Sequence, residues 1–206
     1  MTPATPEPAP PTPINMTEPS SAGASRTARF LTVSLARELG ILLCLSVMFP
    51  FLIHIIPVPG NAQLGPRLLP MFYAPLLAAL LGRTRSAVAV ALLAPWLNWA
   101  LTAHPSPPGA VVMMIELLGF VFVLRVLLAA AGARWYLAAP AYFSGKTAAV
   151  LATAFFPALI GGHAALAWAA QGMAIGVPGI AILVLINWLV LRYYPPGASG
   201  GGPVAA

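Results

Sequence analysis

The sequence predicts an all-α integral membrane protein, a bundle of six transmembrane helices with both termini on the cytoplasmic side. Three observations predict it. Hydrophobic residues fill 60% of the 206 positions and charged residues 7%, against roughly 25% charged in a soluble domain. The apolar residues form continuous runs near the ~20 residues that cross a hydrocarbon core, not amphipathic stripes. The ten Lys and Arg residues stand singly or in pairs at the ends of those runs, as topology determinants do. The net charge of +6 therefore reads as membrane orientation, with lipid as the surrounding partner and no nucleic acid. One cysteine, Cys44, allows no intrachain disulfide and no Cys-based metal cluster.

Residues 1–25, "MTPATPEPAPPTPINMTEPSSAGAS", are rich in Pro, Thr and Ala and have no hydrophobic centre. Such a segment buries too little surface to offset its ordering entropy, and a disordered cytoplasmic tail is expected. It lacks the basic start and short apolar core of a secretory signal. The membrane domain occupies 26–194, and a second flexible tail, "PPGASGGGPVAA", occupies 195–206.

Within the membrane domain the spans are expected at 37–56, 68–82, 86–103, 111–131, 139–160 and 175–193. The second is short, and a tilted or re-entrant element competes with it. With six spans, Arg26, Arg29, Arg37, Arg83, Arg85, Arg134 and Arg192 collect on one side and only Arg67 on the other. The arginine-rich side is cytoplasmic. Arg125 is near enough to snorkel to that surface. Pro50, Pro75, Pro95 and Pro157 fall inside spans. Each frees a carbonyl that lipid cannot satisfy, which favours a bundle that encloses something.

The candidate site follows from the antiparallel third and fourth spans, joined by "HPSPPG". Asn98 lies about five residues below the outer end of one and Glu116 about five below the outer start of the other. At 1.5 Å per residue both are roughly 8 Å deep and can converge. A carboxylate in mid-span is costly unless paired or hydrated, so a functional role is the default. The structural alternative is a hydrated or protonated side chain, or one that ties the two helices through Asn98. Trp96 and Trp99 flank Asn98 and offer flat walls for a small heterocyclic ligand, or they belong to the interfacial aromatic belt with Trp168. Asn61 and Arg67 in the first outer loop, a candidate lid, and His163 and Gln171 between the fifth and sixth spans add polar groups on the same side. His54, His104 and His163 also fall there, yet in no ligand spacing, so no metal is expected. Lys146 is expected to snorkel to the cytoplasmic face, and Asn187 to act as interhelical glue. On the first span Thr32, Ala36, Gly40 and Cys44 recur every four residues. That small-residue face suits either a docked partner, at Ala36 and Gly40, or internal packing.

The segments "LGPRLLPMFYAPLLAALLGR" and "APWLNWALTAHPSPPGAVVMMIELLGF" resemble the substrate-binding S component of energy-coupling factor (ECF) vitamin transporters. The resemblance rests on Leu64-Gly65, Leu69-Pro70-Met71, Pro95, Leu101-Thr102 with Pro107-Pro108, and Met113 to Leu117. It covers about 64–128 in motif and the six-span layout beyond. It implies a multi-pass protein of the bacterial inner membrane that captures a small vitamin-like nutrient from outside. It also implies a transmembrane coupling subunit, contacted by small residues of the first helix, and two ATPase subunits. The family's turn has glycine and an apolar residue where this chain has Ala103-His104. Nickel and cobalt members carry a histidine next to the initiator Met, where this chain has Thr2.

No Gly-rich nucleotide loop or other cofactor motif is present, so energy would come from other chains. An enzyme is not expected. "FSGK" at Phe143 to Lys146 faintly resembles a rhomboid nucleophile, but all histidines lie at the opposite depth from Ser144. A self-sufficient secondary carrier or a non-transporting assembly subunit remains the alternative, although no inverted repeat is evident.

Overall fold

The structure, a computed structural model, describes residues 21–55 and 64–194. Helix accounts for 87% of it, and there is no strand among the described residues. Seven α-helices follow in order: α1 Ser21–Ile55, α2 Leu64–Leu68, α3 Tyr73–Leu80, α4 Thr84–Thr102, α5 Pro107–Ala131, α6 Ala138–Phe155 and α7 Ala165–Tyr193. Short 3-10 turns at Pro70–Phe72 and Pro157–Ile160 precede α3 and α7. The first 34 residues form one unit, of which the described part is the beginning of α1, and Leu35 onward forms a second unit. Helix begins at Ser21, inside the segment expected to be tail; residues 1–20 and 195–206 lie outside the described residues.

Three helical stretches are long and apolar enough to cross a membrane: Ser34–Ile53 of α1, all of α5 and all of α7. α4 and α6, at 19 and 18 residues, carry buried polar groups, Asn98 near the end of α4 and Lys146 in the middle of α6. The expected second span is broken. Leu69 adopts a left-handed conformation, φ 54°, which separates α2 from the turn leading into α3. α3 has eight residues, about 12 Å at 1.5 Å per residue, too little for a crossing.

Burial explains how so short a helix persists. Seven of the eight α3 residues are buried, enclosed by α4, α5 and α7. The ends of this broken region find hydrogen-bond donors. Tyr73 Oη donates to the Leu68 carbonyl, and Arg125 Nη1, from α5, donates to the Ala79 carbonyl at 3.2 Å. Arg125 therefore ties α5 to the end of α3, where snorkelling alone was expected. Irregular backbone in an apolar medium needs such partners.

Glycine sets the two closest helix contacts. A Cβ on Gly119 would lie 3.1 Å from Ala148 Cβ and 3.2 Å from Gly145 Cα, and one on Gly145 would collide with the Glu116 carbonyl. α5 and α6 thus meet backbone to backbone, the close approach that small residues permit. In α7, Gly179 receives Leu69: a Cβ there would lie 2.6 Å from Leu69 Cγ and 2.8 Å from the Arg67 carbonyl oxygen. Asn187, also on α7 and fully buried, donates to the Arg134 carbonyl at 3.1 Å. It ties α7 to the α5–α6 loop, a role close to the glue expected of it.

Around this core Leu101, Phe122, Phe155, Leu166 and Val177 are exposed. So much outward apolar surface suits lipid contact. Gly179→Ala is expected to destabilise the protein by about 1–3 kcal/mol, because backbone atoms cannot make way for the methyl group. Gly40→Ala, in open space, should stay within about 0.5 kcal/mol of the parent; thermal unfolding in detergent compares the two.

Candidate functional site

Glu116 has a partner that the sequence did not announce. Lys146 Nζ, on α6, donates to Glu116 Oε1, on α5, at 2.7 Å. The side chains are 11% and 5% exposed, so the pair is effectively removed from bulk water. Glu116 stands nine residues into α5 and Lys146 eight into α6, about 14 Å and 12 Å along their axes. Glu116 thus stands farther along its helix than the five residues counted from the expected start near residue 111, because α5 begins at Pro107. Lys146, expected at the cytoplasmic surface, is instead held in the middle of the bundle.

The Gly119–Gly145 contact explains the meeting. Glu116 lies one helical turn before Gly119, and Lys146 follows Gly145 directly. The closest point between the two backbones therefore falls beside both charged side chains. The rest of the ammonium's surroundings is aromatic: Nζ lies 5.0 Å from the Trp168 ring centroid and 5.9 Å from that of Tyr142, within cation–π range. α7 leaves room at Gly172, where a Cβ would come to 3.5 Å from Nζ.

The pair lines a cavity of about 320 Å³, at the lower end of the volumes that hold small ligands. Gly65, Pro66, Leu69, Pro70, Met71 and Phe72 form one side, with Pro50 of α1. Asn98, His104 and Pro105 come from α4 and the loop after it, Met113 from α5, and Tyr142 and Gly172 from α6 and α7. Asn98 and Glu116, the two residues expected to converge, share this cavity without bonding each other. Asn98 Nδ2 donates to the His104 carbonyl at 2.9 Å, which holds the α4–α5 loop against the cavity wall. Asn98 Oδ1 and Tyr142 Oη are buried without a hydrogen-bond partner. Each such group costs about 1–3 kcal/mol, so a local shift that lets a ligand reach either one would recover part of that.

The other expected contacts are distributed differently. Trp96 and Trp99 pack edge to face on each other, 6.2 Å between centroids, and do not line the cavity. Successive helical residues are about 100° apart; with Asn98 pointing inward, its neighbours at two before and one after must point elsewhere. The aromatic wall is Phe72 and Tyr142. His163 and Gln171 are exposed and outside the cavity; Gly172, next to Gln171, supplies the α7 wall. The Arg67 side chain is also exposed and outside, although Gly65 and Pro66 beside it line the cavity. Asn61 lies outside the described residues. Ala36 and Gly40 are exposed on α1, and nothing lies within 4 Å of a Cβ placed on Gly40.

The α4–α5 turn illuminates a departure noted in the sequence. Ala103 caps α4 with φ 58°, a left-handed conformation that glycine adopts freely and alanine does not. Thr102 Oγ1 lies 2.8 and 2.9 Å from the Asn98 and His104 carbonyls, which share its one proton, and accepts from the His104 N–H at 3.2 Å, which braces the turn.

Lys146 and Tyr142 are the residues that sequence reasoning missed. A signal existed: "FSGK" puts a small residue beside a charge in mid-span, the arrangement that lets a lysine sit at a helix–helix contact. No protein-family model, curated protein or solved structure matches the chain.

Two stability experiments follow from this geometry. Lys146→Met leaves Glu116 buried and unpaired and should cost about 3–5 kcal/mol, while Glu116→Met combined with Lys146→Met should recover most of it. Denaturant titration in mixed micelles measures both. Ala103→Gly is expected to stabilise by about 1 kcal/mol.

Proposed function

We propose that this chain is the substrate-binding subunit of an ECF-type transporter in a bacterial inner membrane, holding a small vitamin-like molecule in the cavity beside Glu116 and Lys146. The observation that carries the proposal is the 320 Å³ cavity with a buried acid–base pair on its wall. Ionisable groups within a membrane mark ligand and ion pathways more often than scaffolding. The resemblance in 64–128 supports the same reading, because Gly65, Leu69, Pro70, Met71, Met113 and Glu116 of its motifs line this one cavity.

On this proposal the bundle has six membrane elements: α1, the broken α2–α3 region, α4, α5, α6 and α7. Both termini are cytoplasmic, from the distribution of arginine. The cavity faces outward, α2 lines one side of it, and partner ATPase subunits supply the energy. The open small-residue face at Ala36 and Gly40 is where the coupling subunit would dock.

The Glu116–Lys146 pair gives one specific reason to keep a second reading, a self-sufficient carrier, since paired ionisable residues also form proton relays in transporters. A coupling subunit separates the two. Mass spectrometry of protein purified under mild conditions is expected to find one co-purifying small molecule, and a vitamin panel should raise its unfolding temperature. An empty protein indifferent to the panel overturns the binding reading. Gly40→Leu should abolish co-purification of a coupling subunit and leave ligand binding unchanged; uptake that persists without any such subunit favours the carrier.

A further inference from the structure

The cavity wall carries one basic and one acidic side chain, of formal charge +1 and −1, in contact with each other. No other Lys, Arg, Asp or Glu among the described residues lines it. His104 is the remaining basic side chain at the wall; its residue is exposed, and its Nδ1 lies 3.3 Å from the Thr102 carbonyl in the loop. The other lining groups are apolar side chains, glycine, the Asn98 amide and the Tyr142 phenol. The fixed charge of the cavity is therefore zero.

From this balance we propose, resting on the pocket reading above, that the ligand carries no net charge. It offers a hydrogen-bond donor to Glu116 and an acceptor to Lys146, as a neutral aromatic amide does. Lys146 has three N–H donors and Glu116 two acceptor oxygens, and their mutual bond uses one of each. Both therefore keep capacity for a ligand without breaking the pair. An anionic ligand would leave two negative charges against one positive in a site screened from water, and a cationic ligand the reverse. Either excess is penalised steeply, because uncompensated charge in such surroundings has nothing to solvate it. The same argument gives each partner a selecting role. Removing the negative member leaves a site that favours anions, and removing the positive member leaves one that favours cations.

The test uses full-length protein in nanodiscs and three probes of one shape, benzamide, benzoate and benzylammonium, at neutral pH. The parent protein is expected to bind benzamide at least about tenfold more tightly than either ion. Glu116→Gln should move the preference to benzoate, and Lys146→Met should move it to benzylammonium. The neutral double variant Glu116→Gln/Lys146→Met should keep the preference for benzamide, and circular dichroism shows that each protein is folded. If a single variant does not fold, the ranking on the parent and on the double variant decides. A parent that prefers benzoate or benzylammonium overturns the inference and leaves the pocket reading standing. Binding of none of the three by any folded protein overturns the pocket reading, and this inference falls with it.

Discussion

A cation and an anion held in contact away from water set the conditions that the rest of the bundle must meet. Lys146 and Glu116 tolerate burial only together, since either alone would be an uncompensated charge. Their contact requires two helix backbones closer than ordinary side chains allow, and Gly119 and Gly145 supply that approach. The register of α5 against α6 is fixed as a result. A shift of one residue would part the charges and drive a side chain into backbone. Gly172 on α7 then leaves space for the lysine head, so three helices answer to one ion pair.

The cavity arises from interruption. Pro50, Pro66, Pro70 and Pro105 all line it, and proline is the residue that cannot continue a helical hydrogen-bond ladder. Where the chain breaks between α2 and α3, Tyr73 meets the Leu68 carbonyl, and at the far end of α3 Arg125 meets that of Ala79. Where it turns between α4 and α5, Asn98 and Thr102 hold the loop. Polar side chains thus allow irregular backbone to exist in apolar surroundings, and the irregular backbone shapes the hollow.

Helical class and membrane character were legible from bulk features, because long apolar runs have few other outcomes. The convergence of Asn98 and Glu116 was legible too, since a short loop forces neighbouring helices antiparallel. Depth and facing were not. Glu116 stands farther along α5 than expected because the helix starts at Pro107, a few residues before the apolar run suggests. Trp96 and Trp99 were assigned to the wall by proximity in sequence, whereas helical rotation sends neighbours of an inward residue outward. Lys146 was read as a surface group because a lysine in a membrane usually escapes to water. What held it inside was a glycine contact between distant segments, which no local pattern reveals. The second span was read as short, with a tilted or re-entrant element as the competing reading, but the burial of α3 depends on helices made later in the chain.

That last dependence reaches into how the protein is made. α3 precedes α7 in the chain, yet α7 forms part of its enclosure and also supplies the glycine notch that seats Leu69. Until the final helix has been translated, eight apolar residues too short to lodge across the bilayer lack their finished housing. The nascent chain must shelter them meanwhile, within the insertion machinery or against lipid. Closure of this part of the core therefore waits on α7.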